Sequence, residues 1–134
     1  MTQLGSDRIG VDGGGLLPPR AYGIEERPAP GGAVVLALEG ELDLAAAPAV
    51  RERFEAVRDG GARGVVIDLG DVEFIDSSML RELLLAEAAL RQAGGRLVLA
   101  AARAPVIRLL ELTRTTELLA VAPTVAEALE HVAR

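Results

Sequence analysis

The sequence predicts an α/β domain: a small mixed, mostly parallel sheet with an antiparallel N-terminal edge strand and about four helices. Apolar runs of strand length alternate with helix-length segments over most of the chain. Pro48, Pro105 and Pro123 each stand just before a helical pattern, where a fixed φ and a missing N–H are tolerated. The 134 residues are enough for one hydrophobic core and too few for two.

The N-terminal segment lacks this patterning. The first 32 residues contain 8 of the 15 glycines and 4 of the 7 prolines, a composition typical of flexible chain. We therefore expect residues 1–19 to form a flexible tail and residues 20–134 to form the domain. Within the domain, residues 21–26 are the predicted edge strand, and a turn rich in proline and glycine leads to a buried strand over residues 33–38.

The middle of the chain is predicted as a helix, a strand, a longer helix and a further strand. Val50, Phe54 and Val57 recur at helical spacing after Pro48, and Gly60 follows as a stop signal. Residues 65–69 and 96–100 are the predicted strands, and residues 77–92 are the predicted long helix. The expected inward positions of that helix are Leu80, Leu83, Leu84, Ala88 and Leu90, which leaves Met79 exposed at its start.

The C-terminal third is predicted as a short helix, a short strand and a closing helix. Pro105 opens the short helix, and residues 118–121 form the strand. Thr124 stands three residues before Glu127, a spacing that predicts a capping box at the start of the closing helix.

The composition excludes several classes of function. The chain has no cysteine and no lysine, and His131 is its one histidine. Thiol nucleophiles, Schiff bases and the lysine that phosphate-binding loops use are therefore absent. A serine hydrolase would need a Gly-x-Ser-x-Gly elbow and a well-placed histidine, so we expect a protein that is not an enzyme and needs no cofactor or metal. A net charge of −6 and three aromatic residues argue against nucleic acid as a partner.

The sequence also argues against membrane insertion. The apolar stretch at residues 97–102 is far shorter than a membrane span. The first residues have no basic leader followed by an apolar run, so they do not resemble a secretory signal. We expect a cytoplasmic protein.

Two polar clusters lie where strands end, which is the usual functional edge of an open α/β sheet. Gly40-Glu41-Leu42-Asp43 follows the second strand, and residues 71–79 connect the third strand to the long helix. Asp43 either caps the first helix or contacts a partner. Ser77 and Ser78 stand at a helix N-terminus, so one serine is either a helix cap or a site where the helix dipole accepts a phosphate.

The joint spacing of Gly40-Glu41-Leu42-Asp43, Asp76-Ser77-Ser78 and Gly94-Gly95 resembles the STAS domain of bacterial anti-sigma factor antagonists, over roughly residues 21–134. The resemblance implies that Ser77 is phosphorylated by a histidine-kinase-like anti-sigma factor and that Ser78 lies beside it in the partner contact. The partner-binding residues that it implies are Glu41, Asp43, Asp76, Ser77, Ser78 and Met79. The family usually has glycine where this chain has Met79, and often has glycine near Thr113-Arg114-Thr115.

Two functions follow from the resemblance. In the first, the protein binds an anti-sigma factor kinase and thereby releases a sigma factor, phosphorylation of Ser77 switches it off, and a phosphatase restores it. In the second, it is an unphosphorylated STAS scaffold or an accessory subunit of a stress-signalling or lipid-transport assembly. Met79 in place of glycine keeps the second alternative open, because the partner surface would have changed.

Overall fold

The computed structural model of the protein describes residues 22–133. The predicted tail, residues 1–19, lies outside the described residues, as do residues 20, 21 and 134. The strands are β1 (Tyr22–Pro28), β2 (Val34–Leu42), β3 (Gly64–Ile75), β4 (Arg96–Ala100) and β5 (Ala120–Ala122). The helices are α1 (Ala47–Asp59), α2 (Ser77–Gln92), α3 (Ala104–Leu112) and α4 (Val125–Val132).

The five strands form one sheet in the order β1-β2-β3-β4-β5. β1 pairs antiparallel with β2, and the other three pairings are parallel. The predicted mixed sheet with an antiparallel N-terminal edge strand and four helices is therefore confirmed.

Helices cover both faces of the sheet. Alternate residues of a strand point to opposite faces, so Val65 and Ile67 of β3 lie on one face and Val66 on the other. The first face joins the buried side chains of α1, α2 and α3 in one core cluster. The second face packs against α4, where Ala128 is buried. The main core therefore holds α1 and α2 side by side on one face of the sheet.

Two β-bulges lengthen the pairing of β2 with β3. Ala37 pairs with Asp68 but Glu39 pairs with Asp71, and Gly40 pairs with Val72 but Glu41 pairs with Phe74. At each shift β3 contains one residue more than β2, and such an extra residue redirects the side chains that follow.

The structure corrects several predicted boundaries. β2 and β3 extend well past residues 38 and 69, so Glu41 and residues 71–75 belong to strands and not to loops. They remain extended because Leu42, Val72 and Ile75 are buried and continue the core. The last strand begins at Ala120, two residues later than predicted.

Met79 is buried, so its predicted exposure is wrong. Its exposed fraction is 0%, and it lies in the main core cluster. The apolar stripe of α2 runs through Met79, Leu83 and Leu90, at spacings of four and eleven residues that return to the same side of a helix. The predicted inward positions of Leu80, Leu83 and Leu90 are confirmed, but the buried arc also includes Met79, and Leu84 is only partly buried.

The start of α4 and the end of α3 are closed in different ways, the first by a side-chain cap and the second by a left-handed backbone conformation. The Thr124 side chain accepts a hydrogen bond from the backbone N–H of Glu127, which confirms the predicted cap of α4. After α3, Arg114 adopts a left-handed conformation with φ of 60°, which normally favours glycine. Thr113 Oγ1 donates to the Leu109 carbonyl at 2.8 Å, which satisfies part of that helix end.

Candidate functional site

Asp76 links the start of α2 to the segment that follows β2. It is the N-cap of α2, and its Oδ1 accepts a hydrogen bond from the backbone N–H of Met79 at 3.1 Å. Its Oδ2 accepts from the backbone N–H of Leu44 at 3.1 Å, and its own N–H donates to the Leu42 carbonyl at 3.2 Å. One residue therefore caps the helix and fixes residues 42–44 against it.

The surroundings of Asp76 favour its charged form. Burial acts to raise the pKa of this carboxyl, but hydrogen bonds from Ser78 and from the backbone N–H groups of Met79 and Leu44 act in the opposite direction. The net result is that the pKa of Asp76 is lowered from its ordinary value. Hydrogen bonds to a carboxylate stabilise the anion, so Asp76 remains a negatively charged cap at neutral pH.

Ser77 and Ser78 differ in accessibility and in bonding. Ser78 Oγ donates to Asp76 Oδ1 at 2.6 Å, and the residue is half-buried. Ser77 is the first residue of α2 and is exposed. Its hydroxyl makes no hydrogen bond to another residue of the range 22–133. The interpretation of either serine as the helix cap is wrong, because Asp76 occupies that position and leaves the Ser77 hydroxyl available for chemistry.

The acidic residues of the predicted site lie at the same edge. Glu41, half-buried near the end of β2, pairs in register with Phe74 of β3. Asp43 Oδ1 accepts from the backbone N–H of Ala45 at 3.0 Å, so this carboxylate stabilises the turn that leads into α1. The structure thus brings Glu41 and Asp43 to the carboxyl ends of β2 and β3, next to the start of α2.

Two exposed apolar residues at this edge were missed by the sequence analysis. Leu44 is 71% exposed beside its bond to Asp76, and Phe74 is 50% exposed two residues before Asp76. Strict alternation from the buried Val72 would place Phe74 inward, but the bulge between Val72 and Phe74 turns it outward and leaves Ile75 inside. The polar Asp43 just before Leu44 was the one signal in the sequence that this leucine lies in a turn and not in the core.

We call the set formed by Glu41, Asp43, Leu44, Phe74, Asp76 and Ser77 the α2 edge. It combines an exposed hydroxyl, a fixed carboxylate cap, further acidic groups and two apolar side chains.

In the described part of the chain, no group of three or more acidic or histidine side chains is placed to hold a metal ion. No helix within residues 22–133 is long and apolar enough to cross a membrane.

Comparison with protein families identifies the domain. The family model of the STAS domain matches residues 26–128, which is most of the chain and includes the whole α2 edge. The chain belongs to the STAS-domain family. The resemblance to STAS domains that the spacing of the glycine, aspartate and serine motifs indicated is therefore confirmed.

Individual relatives agree with this assignment. The chain is 40% identical over 68 residues to BtrV of Bordetella bronchiseptica, assigned as an anti-sigma factor antagonist; the match spans 51% of this chain and 59% of BtrV. An anti-sigma factor antagonist from Mycobacterium paratuberculosis superposes with a TM-score of 0.78 and 29% identity, over 89% of this chain and all of that one. SpoIIAA in its unphosphorylated form shares the fold, with a TM-score of 0.71 and 21% identity over 83% of this chain and 96% of SpoIIAA.

Proposed function

We propose that this STAS domain is an anti-sigma factor antagonist that acts by binding and not by catalysis. It binds a histidine-kinase-like anti-sigma factor through the α2 edge and thereby releases a sigma factor. Phosphorylation of Ser77 ends the binding, and a phosphatase restores it. The observation that carries the proposal is the exposed Ser77 hydroxyl, which is held at the start of α2 with no hydrogen bond to another described residue.

The choice of Ser77 over Ser78 rests on their bonding. A kinase must reach the hydroxyl and remove its proton, and Ser77 is the more accessible of the two. Ser78 would first have to break a 2.6 Å hydrogen bond to a charged carboxylate. Ser78 therefore acts on Asp76 and supports the geometry around the acceptor.

The position of Ser77 allows a phosphate without loss of the fold. The N-terminus of a helix stabilises a negative charge through its dipole and its unpaired N–H groups. SpoIIAA has also been solved in a phosphorylated form with a related fold, at a TM-score of 0.65 and 22% identity. We therefore expect phosphorylation to change the surface of this domain and not its core.

The effect on the partner follows from charge. A phosphoserine adds about −1.5 to −2 charge, next to Asp76 and near Glu41 and Asp43. Covering this anion with a partner would require its desolvation among like charges, whereas the neutral hydroxyl can be covered at little cost. Leu44 and Phe74 supply the apolar contacts of the unphosphorylated complex, so the anti-sigma factor should present an apolar pocket with a basic rim.

The buried position of Met79 also bears on the scaffold alternative. Met79 in place of the family glycine was the reason to expect an altered partner surface, but its side chain fills the core and adds nothing to the α2 edge. The antagonist function is therefore the one that the site favours. Such partners operate in the cytoplasm, where we place this protein.

The test uses matched serine variants with the histidine-kinase-like anti-sigma factors encoded in the same genome. Each variant is incubated with kinase and ATP, the phosphorylated residue is located by mass spectrometry, and binding is measured before and after. Ser77→Ala should bind, resist phosphorylation and stay bound. Ser78→Ala should still be phosphorylated at residue 77, and Ser77→Asp should keep its fold and bind weakly. Absence of phosphorylation of Ser77 by every such kinase, or tight binding by Ser77→Asp, would refute the proposal.

A further inference from the structure

A cavity of about 260 Å³ lies between α1 and α2, beside the C-terminal half of α2 and away from Ser77. Its floor is the sheet, and its walls are the facing sides of the two helices. The cavity exists because two alanines of α2 face α1 where larger side chains would fill the space. The apolar lining is formed mainly by Phe54, Val57, Leu85, Ala86, Ala89 and Leu90.

Two arginines of α1 line the same cavity, and each is oriented by a carboxylate. Arg51 forms a paired contact with the buried Glu82, through Nε at 3.1 Å and Nη2 at 2.6 Å. The hydrogen bond and the charge of Glu82 raise the pKa of Arg51. Arg58 Nε donates to Asp59 Oδ1 at 3.1 Å. In both arginines Nη1 has no acceptor among the described residues, although both side chains are partly exposed to solvent.

The charges have a definite order around α1. At 100° per residue, Arg51 and Arg58 fall within about 20° of each other, on a stripe between the buried Phe54 and the exposed Glu55. A ligand that enters from solvent thus passes Glu55 and then meets the two guanidinium groups above an apolar interior. Glu82 is already paired with Arg51, so Nη1 of Arg51 and both Nη groups of Arg58 are the donors left for a ligand.

We propose that this cavity binds a small amphiphilic carboxylic acid, with its apolar body between α1 and α2 and its carboxylate on Arg51 and Arg58. The volume of the cavity limits the size of the apolar part of the ligand. One methylene or methyl group takes about the volume of a water molecule, about 30 Å³, so the cavity holds roughly eight to nine such groups. Closed apolar cavities of about 150 Å³ bind benzene; the space between α1 and α2 is larger but open to solvent on one side, which suits a ligand with one charged end.

Octanoate is the probe that tests the cavity, with binding followed by titration calorimetry and by NMR of the backbone amides. We expect saturable binding with shifts centred on residues 54, 86 and 89. Butanoate should bind at least tenfold more weakly, because each buried methylene contributes roughly fourfold in affinity. Ala89→Leu fills the cavity and should abolish binding. Ala56→Leu, at an exposed position of α1, is the matched control and should bind as the parent does.

The head group is tested separately by charge. Arg58→Gln should weaken octanoate binding about fivefold, the scale of a partly exposed ion pair. Glu55→Gln should strengthen octanoate binding by a similar factor, because it removes the like charge at the mouth. Neither substitution should change the binding of octanol, which has the same tail without the charge and should bind more weakly than octanoate.

Several results would overturn the inference. They are the absence of saturable octanoate binding in the folded parent, equal binding by Ala89→Leu with its fold confirmed by circular dichroism, and equal binding of octanol and octanoate. An unchanged affinity in Arg58→Gln would refute the assignment of the head group. Ser77→Ala should bind octanoate as the parent does, so this result is independent of the proposed phosphorylation.

Discussion

The Asp76→Ala substitution removes, with one side chain, both the cap of α2 and the attachment of Leu44. Loss of an N-cap costs about 1 kcal/mol of the free energy of unfolding. Loss of the bond from the Leu44 N–H costs about 1 kcal/mol more, since that group can bind water once it is released. The sum is about 2 kcal/mol, which for a domain of this size lowers Tm by roughly 6–10 °C.

Asp76→Asn separates the two contributions. The amide oxygen can still accept from the Met79 N–H, but the amide nitrogen faces the Leu44 N–H and cannot accept from it. We expect this variant to lose about 1 kcal/mol. Asp71→Ala is the control, because its carboxylate is highly exposed and lies 3.8 Å from Arg103; its effect should stay within about 0.5 kcal/mol.

The assay is urea unfolding of the parent and the three variants, together with hydrogen exchange of the Leu44 and Met79 amides. Exchange at Leu44 should accelerate in both Asp76 variants, whereas exchange at Met79 should accelerate mainly in Asp76→Ala. Equal destabilisation by alanine and asparagine would refute the division into cap and attachment. An unchanged exchange rate at Leu44 would show that Asp76 does not hold that segment.

Three further predictions concern pH, the core and the partner surface. The pKa of Asp76 is lowered in the folded state, so the ionised carboxylate stabilises the fold above the unfolded pKa of about 3.9, and this stabilisation is lost as pH falls through the folded pKa. The difference in free energy of unfolding between the parent and Asp76→Asn, measured by urea titration, should therefore narrow on acidification. Met79→Ala should cost about 2–5 kcal/mol in thermal or urea unfolding, whereas Leu85→Ala, at a residue 51% exposed, should cost far less; equal effects would contradict the buried assignment. Leu44→Ser and Phe74→Ser should leave Tm within a few degrees but weaken anti-sigma factor binding at least tenfold, measured by calorimetry, and unchanged affinity in both would exclude them from the interface.

The architecture could be predicted because it depends on local and repeated signals. Val50, Phe54 and Val57 mark the buried side of α1 wherever that helix lies. Thr124 caps α4 through a bond to a residue three positions away. Patterns of this kind act within a few residues, so no knowledge of the tertiary structure is needed to detect them.

The details of the site depended on contacts between distant residues. The face on which Phe74 lies is decided by its register against Glu41, which is 33 residues earlier in the chain. The sequence offered Ser77 and Ser78 as caps of α2, whereas the cap is Asp76, which also accepts a bond from the N–H of Leu44, a residue 32 positions away. The error on Met79 has a different cause, because α2 begins at the predicted residue and Leu80, Leu83 and Leu90 are buried as expected. The buried arc of the helix is wide enough to include Met79, and the width of that arc depends on packing against the sheet and α1, which the sequence of α2 alone does not specify.

The bulge at Glu73 also determines which changes in chain length the domain tolerates. Glu73 is exposed and is the extra residue of β3, which is not paired with a residue of β2. Loss of Glu73 alone would remove the bulge, and strict alternation from the buried Val72 would still turn Phe74 outward and Ile75 inward. Loss of one residue from the regular part of β3, residues 64–68, would instead reverse the faces of the side chains on one side of the gap. Among natural variants of this domain, we expect the loss of one residue at position 73 to be tolerated and one-residue losses within residues 64–68 to be rare.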